Sequence, residues 1–228
     1  MATTNARTPA PERPGAQEWV PADADVPALA QAARACRGCE LWAPATQVVF
    51  SDGPPDAPLV LVGEQPGDSE DREGEPFVGP AGRVLHDALA AAGVAPDAVY
   101  VTNAVKHFRF EERGKRRLHK TPDVAHVHAC LPWLSAELAA VRPRVVVALG
   151  ATAARAVLGR AVRVTQLRGR LLDDAPDVGG APAAVLVTTH PSALLRLRGK
   201  GGWDEAFDAL VADLRTAARA AGLVAGGA

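Results

Sequence analysis

The chain has 228 residues, 48% hydrophobic and 22% charged, with a formal net charge of -1. Those values suit an ordinary globular protein of one large domain or two small ones with a substantial core. They exclude a uniformly basic nucleic-acid binder, so any such site must be a local patch. No run of about 18 apolar residues stands out as a membrane span, and the N-terminus lacks an apolar signal core. Three cysteines cannot all pair within the chain. With no signal segment, they read as thiols of a reducing, cytoplasmic compartment.

Residues 1–25 are rich in Pro, Ala and charge and read as a disordered tail. A single domain is expected over 26–222, with a short second tail at 223–228. Residues 27–36 read as an Ala-rich helix. Four near-continuous apolar runs follow at 59–63, 99–105, 144–149 and 184–189, as expected of parallel strands buried on both faces. Helical patterns cover 81–92, 122–141, 151–158 and 204–220. Pro80 suits a first helical turn and Gly93 a stop. Residues 162–172 alternate apolar and polar and read as a strand or hairpin, and 199–202 as a flexible loop. The alternation of strands and helices predicts an α/β fold: a three-layer α/β/α sandwich around a central four-stranded, mostly parallel sheet.

In such sheets ligands bind beyond the carboxyl ends of the strands. Three polar clusters fall there. The first strand runs into Gly63-Glu64-Gln65-Pro66-Gly67-Asp68, two carboxylates and an amide on a tight turn, suited to orienting water, acting as a base or stabilising a cation. The second carries Asn103, whose amide is able to read the edge of a base. The fourth ends in His190-Pro191-Ser192. His190 is placed to donate to an oxygen gaining negative charge, and Ser192 either holds a phosphate or caps a helix. Phe77 follows an acidic, Gly-rich stretch and offers a face for a planar ligand.

The strongest charge asymmetry lies at 106–120, with seven Lys or Arg against two Glu. Within it, Lys115, Arg116, Arg117 and Lys120 surround His119 in a polar, turn-like run. The cations suit a polyanion such as a nucleic-acid backbone. Cys36-x2-Cys39 is a chelating pair with Cys130 as a distant third thiolate. By spacing, His126, one helical turn before Cys130, is the preferred fourth ligand, and His107 is the other candidate. Three thiolates and an imidazole suit either structural zinc or an iron–sulfur cluster.

The ordered motifs Gly63-Glu64-Gln65-Pro66-Gly67, Pro76-Phe77-Val78-Gly79-Pro80-Ala81-Gly82, Val101-Thr102-Asn103-Ala104-Val105-Lys106 and His190-Pro191-Ser192 resemble those of family 4 uracil-DNA glycosylases, the iron–sulfur group of that superfamily. The resemblance covers roughly residues 30–220. Three departures match the UdgX branch of that family, which joins itself covalently to uracil-containing DNA: Gln65 in place of an alanine, the extra Lys115-Arg116-Arg117-Leu118-His119, and His107 in place of a cluster cysteine. The resemblance implies that Cys36, Cys39, His107 and Cys130 hold a [4Fe-4S] cluster, with His107 displacing His126 as the fourth ligand. It implies that Phe77 stacks on uracil, Asn103 reads its edge beside Gly63, and His190 hydrogen-bonds its O2. Glu64, Gln65 and Asp68 then line the sugar side, and His119 is the nucleophile. Lys115, Arg116, Arg117 and Ser192 are expected on the DNA, with Leu194 or Leu195 as a wedge. The expected substrate is uracil-containing DNA, single strands being favoured because flipping from a duplex costs a few kcal/mol. Uracil is the expected product and a monomer the expected state. An ordinary turning-over glycosylase and a non-catalytic binder of uracil-containing DNA are the competing readings.

Overall fold

The computed structural model describes residues 13–172 and 183–225. Its centre is a six-stranded sheet. Four strands are parallel and adjacent in the order β3 (Tyr100–Asn103), β2 (Leu59–Gly63), β6 (Val145–Leu149), β8 (Ala184–Thr188). These are the four apolar runs of the sequence. The edges are closed by two-residue antiparallel strands, β1 (Ser51–Asp52) on β3 and β7 (Leu171–Leu172) on β8. Strands that short carry no hydrophobic run to betray them. The stretch expected to be a strand or hairpin at 162–172 is a strand only at its end: a four-residue helix, α6 (Val164–Leu167), leads into β7, which pairs with β8.

Period-2 alternation sends successive side chains to opposite faces. Val60, Val62, Val146, Ala148, Val185 and Val187 form one core with α1 (Val26–Ala33), α4 (Val124–Val141) and α5 (Gly150–Leu158). Leu59, Leu61, Val145, Val147, Leu149 and Leu186 form the other with α3 (Pro80–Ala92) and α8 (Trp203–Ala221). The α/β/α sandwich is therefore as expected in class, with two more strands. Two short helices, α2 (Asp68–Glu73) and α7 (Pro191–Leu195), sit at the carboxyl edge after β2 and β8.

Helix α4 is 18 residues long with a mean hydropathy of 1.2, long and apolar enough to span a bilayer by those measures alone. It is the middle helix of its layer, with Val127, Trp133, Leu134 and Leu138 in the core. Inside it lies a buried ion pair. Lys106 Nζ contacts Glu137, whose other oxygen accepts from Tyr100 Oη at 2.8 Å and Thr102 Oγ1 at 2.9 Å.

Part of the expected N-terminal tail is ordered against the domain. Residues 13–25 pack on the domain: Ala16 is buried and donates its N–H to Ala129 O at 2.8 Å. Arg13 pairs with Glu40 at 2.6 Å and Asp123 at 2.9 Å. At the other end Leu223 and Val224 pack against the second core. Residues 1–12 and 226–228 of the expected tails lie outside the described residues.

The basic segment is not a loop. Phe110–Arg113 (β4) and Arg116–His119 (β5) form a separate antiparallel hairpin, turning at Gly114 with φ of 61°. Its register pairs Phe110 with His119 and Glu112 with Arg117.

Candidate active site

Gly63 ends β2 at the floor of the site. A Cβ there would stand 2.3 Å from Asn103 Oδ1 and 2.8 Å from the Phe77 ring. Only glycine lets these two side chains close over the strand end. Asn103 ends the neighbouring β3, in register with Gly63, and both Asn103 and Phe77 are buried. Phe77 holds a left-handed backbone, φ of 58°, uncommon for a bulky residue and a mark of local strain. Gly82 permits it, because a Cβ in that first turn of α3 would meet Phe77 O at 1.5 Å. The His190 ring lies 6.2 Å from that of Phe77, inclined by 27°. Gly63, Phe77, Asn103 and His190 thus converge as the sequence suggested.

His190 caps α7. Its Nδ1 accepts the Ser192 N–H at 3.1 Å and lies 2.8 Å from Ser192 Oγ. Burial, with smaller contributions from His119 and Arg196, pulls its pKa down to about 4. At neutral pH the ring is uncharged. With Nδ1 accepting, its proton sits on Nε2, free to donate. Ser192 therefore orients His190, and its hydroxyl is not turned out to a phosphate. A test follows. Uracil release should show no acid limb near 6.5 from His190, and its loss should begin only near pH 4. A single-turnover pH profile with a limb near 6.5 that vanishes in His190→Asn would contradict this assignment.

The hairpin stands beside this pocket. His119 Nε2 lies 3.5 Å from Glu64 Oε1. Glu64 Oε2 accepts from Thr152 Oγ1 at 2.5 Å. His119 is 48% exposed against 22% for Glu64, so the pair sits at the mouth and not in the floor. Gln65, expected on the sugar side, bonds to the hairpin. Its amide is buried in the base of the hairpin, accepting from Arg109 N at 3.0 Å and donating to Arg109 O at 3.1 Å and Lys120 O at 3.2 Å. Gln65→Ala removes three bonds at the hinge, each worth about 0.5–1.5 kcal/mol. We expect raised hydrogen exchange confined to 109–120 and a lower yield of any His119-dependent product.

Arg117 departs from expectation too. It points inward, its side chain 13% exposed, bound to Asp68 at 2.5 Å and Asp71 at 2.6 Å. Its guanidinium lies over the Phe110 ring at 4.9 Å. Asp68, partnered by Arg72 and Arg117, is held below the usual carboxylate range although burial opposes this. Asp68 and Arg117 thus tie α2 to the hairpin. Alternation explains the split. Arg117 and His119 share one face of β5, and Arg116 and Leu118 the other, where they are exposed with Lys115. Leu194 is buried in the core and is not a wedge, and Leu195 packs partly against the same core.

Cys36, Cys39, Cys130 and His107 line one cavity with Ala16, Gly38, Lys106, Ala129 and Trp133. His126 is elsewhere, between Glu40 at 2.9 Å and Asp123 at 2.9 Å. Burial pushes the Cys39 thiol up to about 11 and Cys130 up to about 12, and pulls His107 down to about 4. Trp133 Nε1 and Gly38 N face Cys36 Sγ at 3.3 and 3.5 Å, and Lys106 N faces Cys130 Sγ at 3.3 Å. Buried sulfurs met by N–H donors and a neutral imidazole are a donor set for a soft metal group that stabilises thiolates. Among the described residues, no three His, Cys, Asp or Glu side chains close on a single point as one ion requires.

Sequence reasoning missed Glu70, whose carboxylate accepts from Gly67 N at 3.0 Å and Gly79 N at 2.8 Å and so ties the Glu64 loop to the Phe77 loop. The signal was present, a Glu three residues after the glycine that starts α2. Asp71 and Thr152 carried no comparable signal.

The description "Uracil DNA glycosylase superfamily" fits residues 50–215. A type-4 uracil-DNA glycosylase of Thermotoga maritima is 37% identical over 171 residues, 75% of this chain and 83% of that protein. One of Pyrobaculum aerophilum is 33% identical over 183 residues, 77% of this chain and 89% of that protein. One of Archaeoglobus fulgidus is 34% identical over 164 residues, 70% and 78% of the two chains. With Gly63, Phe77, Asn103 and His190 gathered at one end of the sheet, the match over most of its length places this chain in the uracil-DNA glycosylase superfamily.

Proposed function

We propose that the protein excises uracil from DNA and captures the sugar on His119, the reaction of the UdgX branch. The observation that carries this reading is His119 Nε2 lying 3.5 Å from Glu64 Oε1 at the mouth of the pocket. The relatives' names by themselves favour a type-4 enzyme that turns over; an imidazole held beside a carboxylate favours a trap.

The flipped uracil stacks on Phe77 and offers its edge to Asn103. As the C1′–N1 bond breaks, its electron pair leaves with the base. Charge gathers on O2, where neutral His190 donates from Nε2. A ring nitrogen of His119 gives its lone pair to C1′, and a new C1′–N bond forms. The proton on the other ring nitrogen stays as imidazolium or passes to Glu64. A positioned imidazole outcompetes water through effective molarity and nucleophilicity.

Cys36, Cys39, His107 and Cys130 are proposed to hold a [4Fe-4S] cluster, which three thiolates and one imidazole would suit. When bound it would supply a cross-link among the 36–39 loop, the turn after β3 and helix α4. Single-stranded uracil-containing DNA is the favoured substrate, and the protein acts as a monomer.

Peptide mapping tests the reading. Trypsin cuts after Arg117 and Lys120, so the sugar should be found on Leu118-His119-Lys120. A sugar on another peptide would overturn it. The salt dependence should also follow the hairpin's geometry. At its tip Lys115 and Arg116, like Arg113 beside them, face solvent with no carboxylate partner among the described residues. Lys115→Ala with Arg116→Ala should flatten the log–log salt slope of binding by about 1.4–1.8, near 0.7–0.9 per contact. Arg117→Ala should instead weaken the hairpin.

A further inference from the structure

We propose that Thr152 is a positioning residue for the His119–Glu64 pair, fixing the Glu64 carboxylate so that its other oxygen faces His119. The proposal rests on the trapping reading above.

Glu64 stands one residue past the end of β2, on a turn. Thr152 lies in the first turn of α5, which follows β6. Because β2 and β6 are parallel neighbours, with Val62 opposite Ala148, both residues emerge at the same carboxyl edge. A helical threonine commonly bends its hydroxyl onto the carbonyl one turn back. In the first turn of α5 no helical carbonyl lies behind it, and the hydroxyl donates to Glu64 Oε2 at 2.5 Å. Against that, the contact of Oε1 with His119 is 3.5 Å, to a half-exposed ring on a hairpin outside the main sheet. Such an exposed pair is weak and does not by itself hold a carboxylate. The charge-assisted bond from Thr152, on a helix of the main fold, is the stronger constraint. Thr152 thus aligns Glu64, and Glu64 aligns the imidazole for capture. It touches neither base nor sugar.

The test uses the full chain and a single-stranded oligonucleotide with one uracil. Two quantities are read under single-turnover conditions: the rate of uracil release, and the fraction of cleaved sugars left in a boil-stable adduct. In Thr152→Val the adduct fraction should fall about tenfold, the scale of one hydrogen bond to a charged group. Uracil release should fall by no more than about threefold, free abasic product taking up the difference. Thr152→Ser should restore the fraction. Thr152→Val added to Glu64→Gln should lower it no further, because both act on one interaction. An unchanged fraction in Thr152→Val, equal losses of release and trapping, or no rescue by serine would overturn the role of Thr152. Absence of adduct from the unaltered protein would overturn the trapping reading beneath it, and Thr152 with it.

Discussion

If His119 traps the sugar as proposed, His119→Ser should release uracil repeatedly instead of stopping after one event. Boil-stable adduct should disappear, and abasic product should rise above one per protein molecule. The geometry explains why capture and excision separate. The groups proposed to hold and polarise uracil are Phe77, Asn103 and His190, on the pocket floor and its rim. His119 is on the hairpin, 48% exposed. Removing a half-exposed imidazole leaves those groups in place and costs about 0.5 kcal/mol of stability or less. Water then reaches C1′ where the ring stood, and Glu64, still held by Thr152, is beside it to accept its proton. Product counting per protein over time checks this. An adduct still surviving boiling in His119→Ser would show that another residue bonds the sugar.

Lys106→Ala should be the most destabilising of the substitutions considered. Lys106 and Glu137 are both buried, and they pair inside the layer between β3 and α4. Removing one member of a buried pair typically costs 3–5 kcal/mol, out of a total stability of about 5–15 kcal/mol. For a chain of this size that lowers Tm by roughly 6–20 °C, at about 2–4 °C per kcal/mol. Burial already holds the Glu137 carboxyl above its ordinary range, with Lys106, Tyr100 and Thr102 opposing. Without Lys106 that rise is larger, and Glu137 takes up a proton on folding. A raised acid pKa gives stability that is lost as pH rises. The deficit relative to the unaltered protein should therefore widen from pH 5 to pH 8, and melting curves at the two values read it. The consequence reaches function, because Lys106 lies between Asn103 at the uracil pocket and His107 at the cysteine cavity. A Tm lowered by less than about 3 °C at both pH values would show that the pair contributes little.

The parallel strands were legible because both faces of each are buried, which leaves unbroken apolar runs at 59–63, 145–149 and 184–188. The edge strands β1 and β7 were not, since two residues hold no pattern. The pocket floor was legible from motif order: Gly63 and Asn103 end strands, His190 opens a helix, and Phe77 stands in the loop just before α3. The hairpin was read as a loop because its cations mask its alternation. Once paired, alternation decides that Arg117 goes in and Arg116 goes out. Gln65, Asp68 and Arg117 were assigned to sugar and DNA because their chemistry allows it. Their partners, Arg109, Lys120 and Asp71, are brought to them only by the tertiary fold. The choice of His107 over His126 likewise depends on the turn after β3, invisible to helical spacing.

The most direct measurement is a denaturing gel of boiled protein after incubation with a single-stranded oligonucleotide holding one uracil. A band shifted by the mass of the oligonucleotide, absent when thymine replaces uracil and absent in His119→Ser, is the predicted result. Alkali-sensitive cleavage at the uracil with no shifted band would contradict it, leaving an ordinary turning-over glycosylase whose His119 only helps place the DNA.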